Sequence, residues 1–293
     1  MTKDNINRPL VSIITPSYNQ GKFIEETILS VKRQNYSEIE HIIVDGCSTD
    51  NTLDVIKNYD GEYNLRWISE KDNGQADAIN KGFSMAEGNI VGWLNSDDIY
   101  FYKNSISSVV KTFNLFPDMG IIYGHAAKIN QDSKLLRIKV VPEFNLHKLK
   151  MHNFIIQPSC FWRSDVCKNN LLDLSMDCSF DYEYWLRLGG KYKWRRINKV
   201  LSADRNHLDR KIIAELDKSI LETRQLRTKM GIRPNLISVI KRKIGSFLAR
   251  LKGLFFIFNI YYQKDSVFTL KLSKKNIYKL IKTQLLKKER DLL

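Results

Sequence analysis

An α/β fold, with a mostly parallel central sheet flanked by helices, is the class that the first hundred residues predict. Three observations carry it. Short apolar runs rich in β-branched residues alternate with longer amphipathic stretches, each run is bounded by Gly, Asn, Asp or Ser, and each ends on polar or charged residues. Parallel strands read as near-continuous apolar runs because crossover helices cover both faces of the sheet.

The runs follow in order. VSIIT (11–15) leads to a helix predicted over 22–34, where Phe23, Ile24, Ile28 and Val31 share a face. HIIVD (41–45) and LRWIS (65–69) come next, and a second helix predicted over 75–86 aligns Ala78, Ile79 and Phe83. NIVGWL (89–94) closes the series. The carboxyl ends carry Thr15, Asp45, Glu70 with Lys71, and the segment 95–98. Ligands bind at those ends in open parallel sheets, so the four clusters should converge on one crevice. Mixed strand and turn is expected over 121–141, and an aromatic and polar stretch over 152–163. Helices are expected over 181–188 and 210–230, before Gly231 and Pro234 mark a boundary.

With 293 residues, 43% of them hydrophobic, the chain can bury one large domain and carry an appendage. Its net charge of +15 is uneven: residues 241–293 hold fourteen Lys or Arg against three acids. Charge confined to one end beside the apolar stretch GLFFIFNIYY (253–262) suits an anionic membrane surface, and that stretch is well short of the roughly 20 residues a spanning helix needs. Packing of the same stretch on the domain is the other reading. A nucleic-acid-binding protein would explain the basic tail but not the paired acids at 97 and 98, so no nucleic-acid partner is expected. Cys47, Cys160, Cys167 and Cys178 lack CxxC spacing and read as ordinary thiols. The start reads MTKDNINRPL and goes straight into the strand-like VSIIT with no signal-type apolar run, which sets the expectation of a cytoplasmic protein without a secretory signal.

The segment NSDD (95–98) follows the most hydrophobic run. Adjacent carboxylates there are costly unless something positive neutralises them, and a hard divalent cation carrying diphosphate oxygens is the natural partner. A turn or helix cap is the plainer alternative. The segments TPSYNQGKFIEETILSVKRQ, IIVDGCSTDNT, SEKDNGQADAINKG and GNIVGWLNSDD, in this order and spacing, resemble the nucleotide-binding half of the family-2 inverting glycosyltransferases of the GT-A fold. The resemblance runs over about residues 10–206. It implies a catalytic domain over 1–232, with a nucleotide-binding half over about 10–100 and an acceptor half over about 101–210. The basic residues 233–293 are then an amphipathic helical extension.

Carried onto this sequence, the resemblance implies that Thr15, Pro16 and Tyr18 border the base and ribose of a nucleotide-sugar donor. Asp45 resembles the aspartate that receives the base edge, and an acid at a strand end suits the imide NH of uracil or thymine, hence a UDP- or dTDP-sugar. Lys71 is placed toward phosphate, Asp72 toward base or ribose, and Asp77 and Asn80 toward sugar and ribose. Asp98 becomes the direct ligand of Mn or Mg and Asp97 its ribose or water-bridged partner, with Ser96 standing where the family writes a first acid. In SFDYEYWLRLG (179–189) Asp181 aligns with the catalytic base, with Glu183 on another face on the acceptor side. Gln157, Pro158 and Ser159 resemble the acceptor lining, while Phe161 and Trp162 read as core. ADRNHLD (203–209) resembles an R-x-H element in which Arg205 meets the diphosphate and His207 completes the metal shell.

The function implied is transfer of a sugar with inversion to a glycan or lipid-linked acceptor in surface polysaccharide or lipopolysaccharide assembly, on the inner face of the cell membrane. A sugar-1-phosphate nucleotidyltransferase would share the βαβ logic, but its Gly-rich amino-terminal loop is replaced here by TPSYNQGKF.

Overall fold

Four of the predicted runs form strands in the computed structural model, which describes residues 8–207, 210–232 and 248. They are β1 (Val11–Ser17), β2 (Ile39–Asp45), β3 (Leu65–Ser69) and β4 (Ile90–Trp93). β1 pairs in parallel with both β2 and β4, and β2 with β3. Between them lie α1 (Ile24–Lys32), α2 (Thr52–Lys57) and α3 (Gln75–Met85). The buried faces of α1 and α3 include Ile24, Ile28, Val31, Ala78, Ile79 and Phe83, the residues that helical spacing selects.

The second half contributes β5 (Ile99–Tyr100), α4 (Ser105–Leu115), β6 (Ile121–Asn130), β7 (Leu135–Lys139), α5 (Leu146–Met151), a 3-10 turn at Gln157–Ser159 and β8 (Cys160–Arg163). Then come α6 (Ser164–Lys168), α7 (Phe180–Leu188), β9 (Trp194–Asn206), α8 (Lys211–Ala214) and α9 (Leu216–Lys229). The nine strands of the described residues join one sheet in the order β3-β2-β1-β4-β8-β6-β9-β5, with β7 paired to β6. Pairing is parallel up to β4 and turns antiparallel at β8. The chain leaves β4 at that junction, which is where NSDD sits.

Two expectations are revised. The helix predicted over 210–230 is broken at Glu215, whose φ of −116° and ψ of 41° are not helical, so α8 and α9 are separate. β9, thirteen residues long, was not foreseen as a strand; its charged start WRRINK conceals it. The basic tail and the stretch 253–262 lie outside the described residues.

The main core lies between the sheet and α3, α6 and α7. Phe161 and Trp162 are fully buried, as expected, and Trp162 meets Phe83 edge-on at 5.8 Å and Trp185 at 5.8 Å. The side chain of Asn80 ties the halves together: its Nδ2 donates to Leu172 O at 3.0 Å, and Leu172 N donates to its Oδ1 at 2.9 Å. Asn80 therefore spans from α3 to the loop before α7 rather than facing a ribose.

Gly82 sets how closely α3 rides on β1. A Cβ there would fall 2.2 Å from Cγ2 of Ile14, a fully buried β-branched side chain with no room to turn. Alanine in place of a helical glycine gains up to about 1 kcal/mol in propensity, while overpacking a core costs roughly 1 to 3 kcal/mol, so the clash should win. Gly82→Ala is expected to lower the urea midpoint, and an unchanged or raised midpoint would show that α3 can lift off without loss.

Candidate active site

The turns after β1 and β2 hold each other at the carboxyl edge of the sheet. Asn19 N donates to Ser48 Oγ at 2.8 Å, Gln20 N to Thr52 Oγ1 at 2.8 Å and Gly21 N to Asp50 Oδ2 at 3.0 Å. A Cβ on Gly21 would meet Asn51 Oδ1 at 1.9 Å, so a larger residue there would displace the Asn51 side chain. Asp45 is fully buried and accepts from Ser48 N at 2.9 Å and Ser69 Oγ at 2.8 Å, which joins the ends of β2 and β3. Asp72 accepts from Gly74 N at 2.9 Å, and its Oδ2 lies 2.5 Å from where a Gly46 Cβ would stand. Tyr18, 60% exposed, stands at the rim. Asp45, Gly46, Asp72 and Tyr18 thus stand at three adjoining strand ends, where Gly46 N donates to Ser17 O at 2.9 Å.

Other expected donor contacts point elsewhere. Thr15 Oγ1 bonds His41 Nε2 at 2.9 Å inside the sheet, and His41 Nδ1 meets the Tyr63 hydroxyl at 2.7 Å. Burial pushes His41 down to about 3, so it stays neutral and structural. Pro16 is buried within β1. Asp77 accepts from Asn73 N at 2.9 Å and closes its own turn. Lys71 is exposed, and its carbonyl accepts from Lys81 Nζ at 3.1 Å.

The paired acids face in different directions. Asp98, 1% exposed, accepts from Arg205 N at 2.9 Å, and burial, then Asp97 and Asp204, push its carboxyl well above the usual carboxylate range. Asp97 is the accessible member, and its Oδ2 lies 3.0 Å from His207 Nε2. Arg205 differs most from expectation. Its side chain is wholly enclosed: Nε donates to Asp97 O at 2.8 Å, an Nη to Ser133 Oγ at 2.8 Å and the other to Glu26 Oε2 at 2.7 Å, over the Phe23 ring. Those donors are spent on the protein, so Arg205 clamps β9 to α1 and the β6–β7 turn.

Asp181 opens α7. Phe180 stacks on Trp93 at 5.5 Å and 15°, and Trp93 Nε1 donates to Asn95 Oδ1 at 2.7 Å, so the start of α7 rests on the strand that ends in the acid pair. Glu222 of α9 accepts from Asp177 N, Cys178 N and Ser179 N at 3.0, 2.8 and 2.9 Å, which fixes the approach to the helix. Sequence reasoning missed Glu222, because nothing local marks it. Asp181 keeps a solvent-accessible edge within a dense shell of protein. Burial lifts its carboxyl to about 6, against hydrogen bonds from Tyr182 N at 2.6 Å and Asn153 Nδ2 at 3.5 Å.

On the expected acceptor side the placements are mixed. Glu183 pairs with Arg187 at 2.8 Å, one turn along α7. Pro158 is buried; Gln157 donates to Trp93 O, and Ser159 donates to His125 O at 2.9 Å, so these side chains brace the turn from inside. Among the described residues the group of three ligand-type side chains that converges is Asp177, Cys178 and Glu215, but Lys211 and Lys218 already pair with Asp177 and Lys218 with Glu215. Asp97 and His207 instead form a close pair at 3.0 Å, a carboxylate and an imidazole able to hold an ion whose other positions come from phosphate and water.

Residues 12–169 match the family model described as Glycosyl transferase family 2. The chondroitin synthase of Pasteurella multocida (strain Pm70) is 30% identical over 215 residues, which are 71% of this chain and 22% of that protein, so the chain spans about a fifth of this relative's length. Among solved structures, S. aureus TarS 1–349 in complex with UDP superposes with a TM-score of 0.60 at 18% identity, over 94% of this chain and 78% of that one. The mannosyltransferase PcManGT from Pyrobaculum calidifontis, in complex with GDP-Man and Mn2+, gives 0.59 at 18%, over 78% and 65%. These likenesses carry the fold, which is the GT-A fold expected from the sequence.

The raised carboxyl of Asp181 has a sign that can be checked. Because its folded value exceeds the unfolded one, its contribution to stability is present below about pH 4 and is lost as pH rises through about 6. Asp181→Asn, which cannot ionise, should therefore be more stable than the parent at pH 7.5, by on the order of 2 kcal/mol, and no more stable at pH 4. Denaturant midpoints at the two pH values decide it; an equal gain at both would assign the effect to packing instead.

Proposed function

This chain belongs to glycosyltransferase family 2, and from that premise we propose that it moves one sugar from a uridine or thymidine diphosphate donor to an acceptor hydroxyl, with inversion, in the assembly of a cell-surface polysaccharide. The observation that carries the reading is the joint between α7 and β4. Asp181, lifted to about 6, sits one residue from the Phe180 ring that stacks on Trp93, and β4 leads straight into Asp97 and Asp98. A base and a donor-side acid are thus mounted on one rigid contact.

In this reading Tyr18, Gly46 and Asp72 receive the base, and Asp72 accepts the imide NH. Asp45 holds the turn that shapes their pocket. Asp97 and His207 hold a divalent ion, and Asp98 stays inward and locks Asp97 through β9, an exchange of the roles the sequence suggested. A carboxylate beside an imidazole suits Mn better than Mg, which is held through oxygen ligands, and the Mn2+ in the mannosyltransferase structure supports the choice. When bound, the ion offsets negative charge on the departing diphosphate. Asp181 takes the acceptor proton as the acceptor oxygen bonds to the anomeric carbon and the bond to diphosphate breaks. A single in-line displacement of this kind inverts the anomeric centre.

Asp97→Ala should abolish Mn-dependent thermal stabilisation by UDP and transfer alike. Asp181→Asn should keep UDP affinity while losing roughly two to four decades of rate. The parent rate should rise with pH and level off above about 6, because the base must be ionised. A folded Asp181→Asn chain with full turnover, or an Asp97→Ala chain that still responds to Mn, would remove these assignments. GDP stabilising the parent more than UDP would reassign the base.

Polysaccharide assembly rests on the chondroitin synthase likeness. Among the described residues no helix is long and apolar enough to cross a membrane. We place the enzyme peripherally at an anionic membrane surface through residues 241–293, whose excess of eleven positive charges follows from fourteen Lys or Arg and three acids. Each such residue near the surface contributes about 1 kcal/mol. A chain ending at Pro234 should sediment free of anionic vesicles yet bind UDP as before. Retention on the vesicles, or loss of UDP binding, would count against the placement.

A further inference from the structure

Three strands and the segment after His207 bring three cations onto one carboxylate. Asp204 of β9 is 7% exposed at its side chain and faces Lys128 of β6, its neighbour in register, with Nζ at 3.1 Å. Lys139 of β7 pairs in register with Ala126, two residues from Lys128, and its Nζ reaches Asp204 at 3.5 Å. Arg210, just before α8, closes the group at 2.7 Å. Burial alone would raise the Asp204 carboxyl, but Lys139, Arg210 and Lys128 outweigh it and hold it well below the usual range.

The balance is lopsided. Lys128 and Lys139 share Asp204 with Arg210, on which Asp98 and Asp97 also act, and the three side chains are 14%, 35% and 20% exposed in that order. Burial first, with Lys139 and Arg210 adding repulsion, brings the Lys128 ammonium down to about 8. Half-buried like charges in excess are costly, and an incoming anion relieves the cost.

We infer that Lys128, Lys139 and Arg210 form a seat for an anionic group on the acceptor, a sugar carboxylate or a phosphate, so that the enzyme extends an acidic glycan or a glycosyl phosphate. The inference rests on the transferase reading above and narrows its acceptor. Position argues for the acceptor rather than the donor. Arg205, one residue beyond Asp204, points the other way, to Glu26 and Phe23. The base-side crevice at Asp45 and Asp72 belongs to β2 and β3, at the far end of the sheet order from β6 and β9. Yet Asp204 precedes Arg205, whose backbone NH donates to Asp98 at 2.9 Å, so the seat adjoins the acid pair.

The full chain, loaded with Mn and saturating UDP, would be titrated calorimetrically with glucuronate, inorganic phosphate and neutral glucose. The parent is expected to bind one of the two anions and to ignore glucose; whichever binds names the acceptor group. Lys139→Ala, the most exposed of the three, should weaken that anion at least threefold, and Lys128→Met with Lys139→Ala at least tenfold, with UDP affinity within twofold of the parent. UDP affinity falling in step with the anion would overturn the inference and give the seat to the donor diphosphate. Anion binding that is absent in the parent, or unchanged in the variants, would overturn it in favour of a closed ion network. Failure of the parent to bind UDP would sink the donor reading, and anion titration without UDP would still decide the seat by the same threefold and tenfold criteria.

Discussion

Arg205 is the point on which the two halves of this molecule depend. Its backbone NH is taken by Asp98 and its guanidinium by Asp97 O, Glu26 and Ser133, so one residue of β9 fastens the end of β4, the first helix and the β6–β7 turn. A guanidinium suits this task because its donors are fixed in a plane and it keeps its charge when enclosed. Losing this enclosed side chain leaves the Asp97 carbonyl and the Ser133 hydroxyl without their donor, at about 1 to 3 kcal/mol for each group left buried and unsatisfied. The residue is structural, and the positions of Asp97 and Asp98 follow from it.

That fastening explains how two adjacent acids serve different ends. Asp98 is driven inward to accept the Arg205 NH, and its carboxyl rises above the usual range. Its neighbour is thereby turned outward, with Oδ2 3.0 Å from His207 Nε2. Asp181 stands on a different support, the ring contact with Trp93 and the three NH groups collected by Glu222. Environments that separate the protonation behaviour of carboxyl groups are the usual means by which a fold divides acid and base duties.

What could be read in the sequence follows from locality. β1 to β4 and helices α1, α3 and α7 announce themselves through apolar runs and 3.6-residue spacing, and the crevice then follows from strand ends. SDD and FDYEYW were legible for the same reason: each is a short polar signal bordering a strong apolar one. The roles of Arg205, Asn80 and Glu183 were not, because their partners decide them. Glu26 is 179 residues from Arg205, and Leu172 is 92 from Asn80. No window of sequence tells a guanidinium waiting for phosphate from one buried against Glu26. β9 escaped for a related reason: its charged first residues lie on a half-exposed strand, and only the later VLSADR is enclosed.

One continuous ladder of strands crosses from the first half of the chain to the second, and Asn80 adds a further bond between them. A hinge needs a few residues able to absorb a change in backbone angles while few bonds cross between the moving bodies. Here β1, β4, β8 and β6 are bonded in succession, so the two halves cannot swing apart like jaws. Opening and closing must therefore be left to segments outside the ladder, and the spacing between the two reactants is built in at folding rather than set at each turnover.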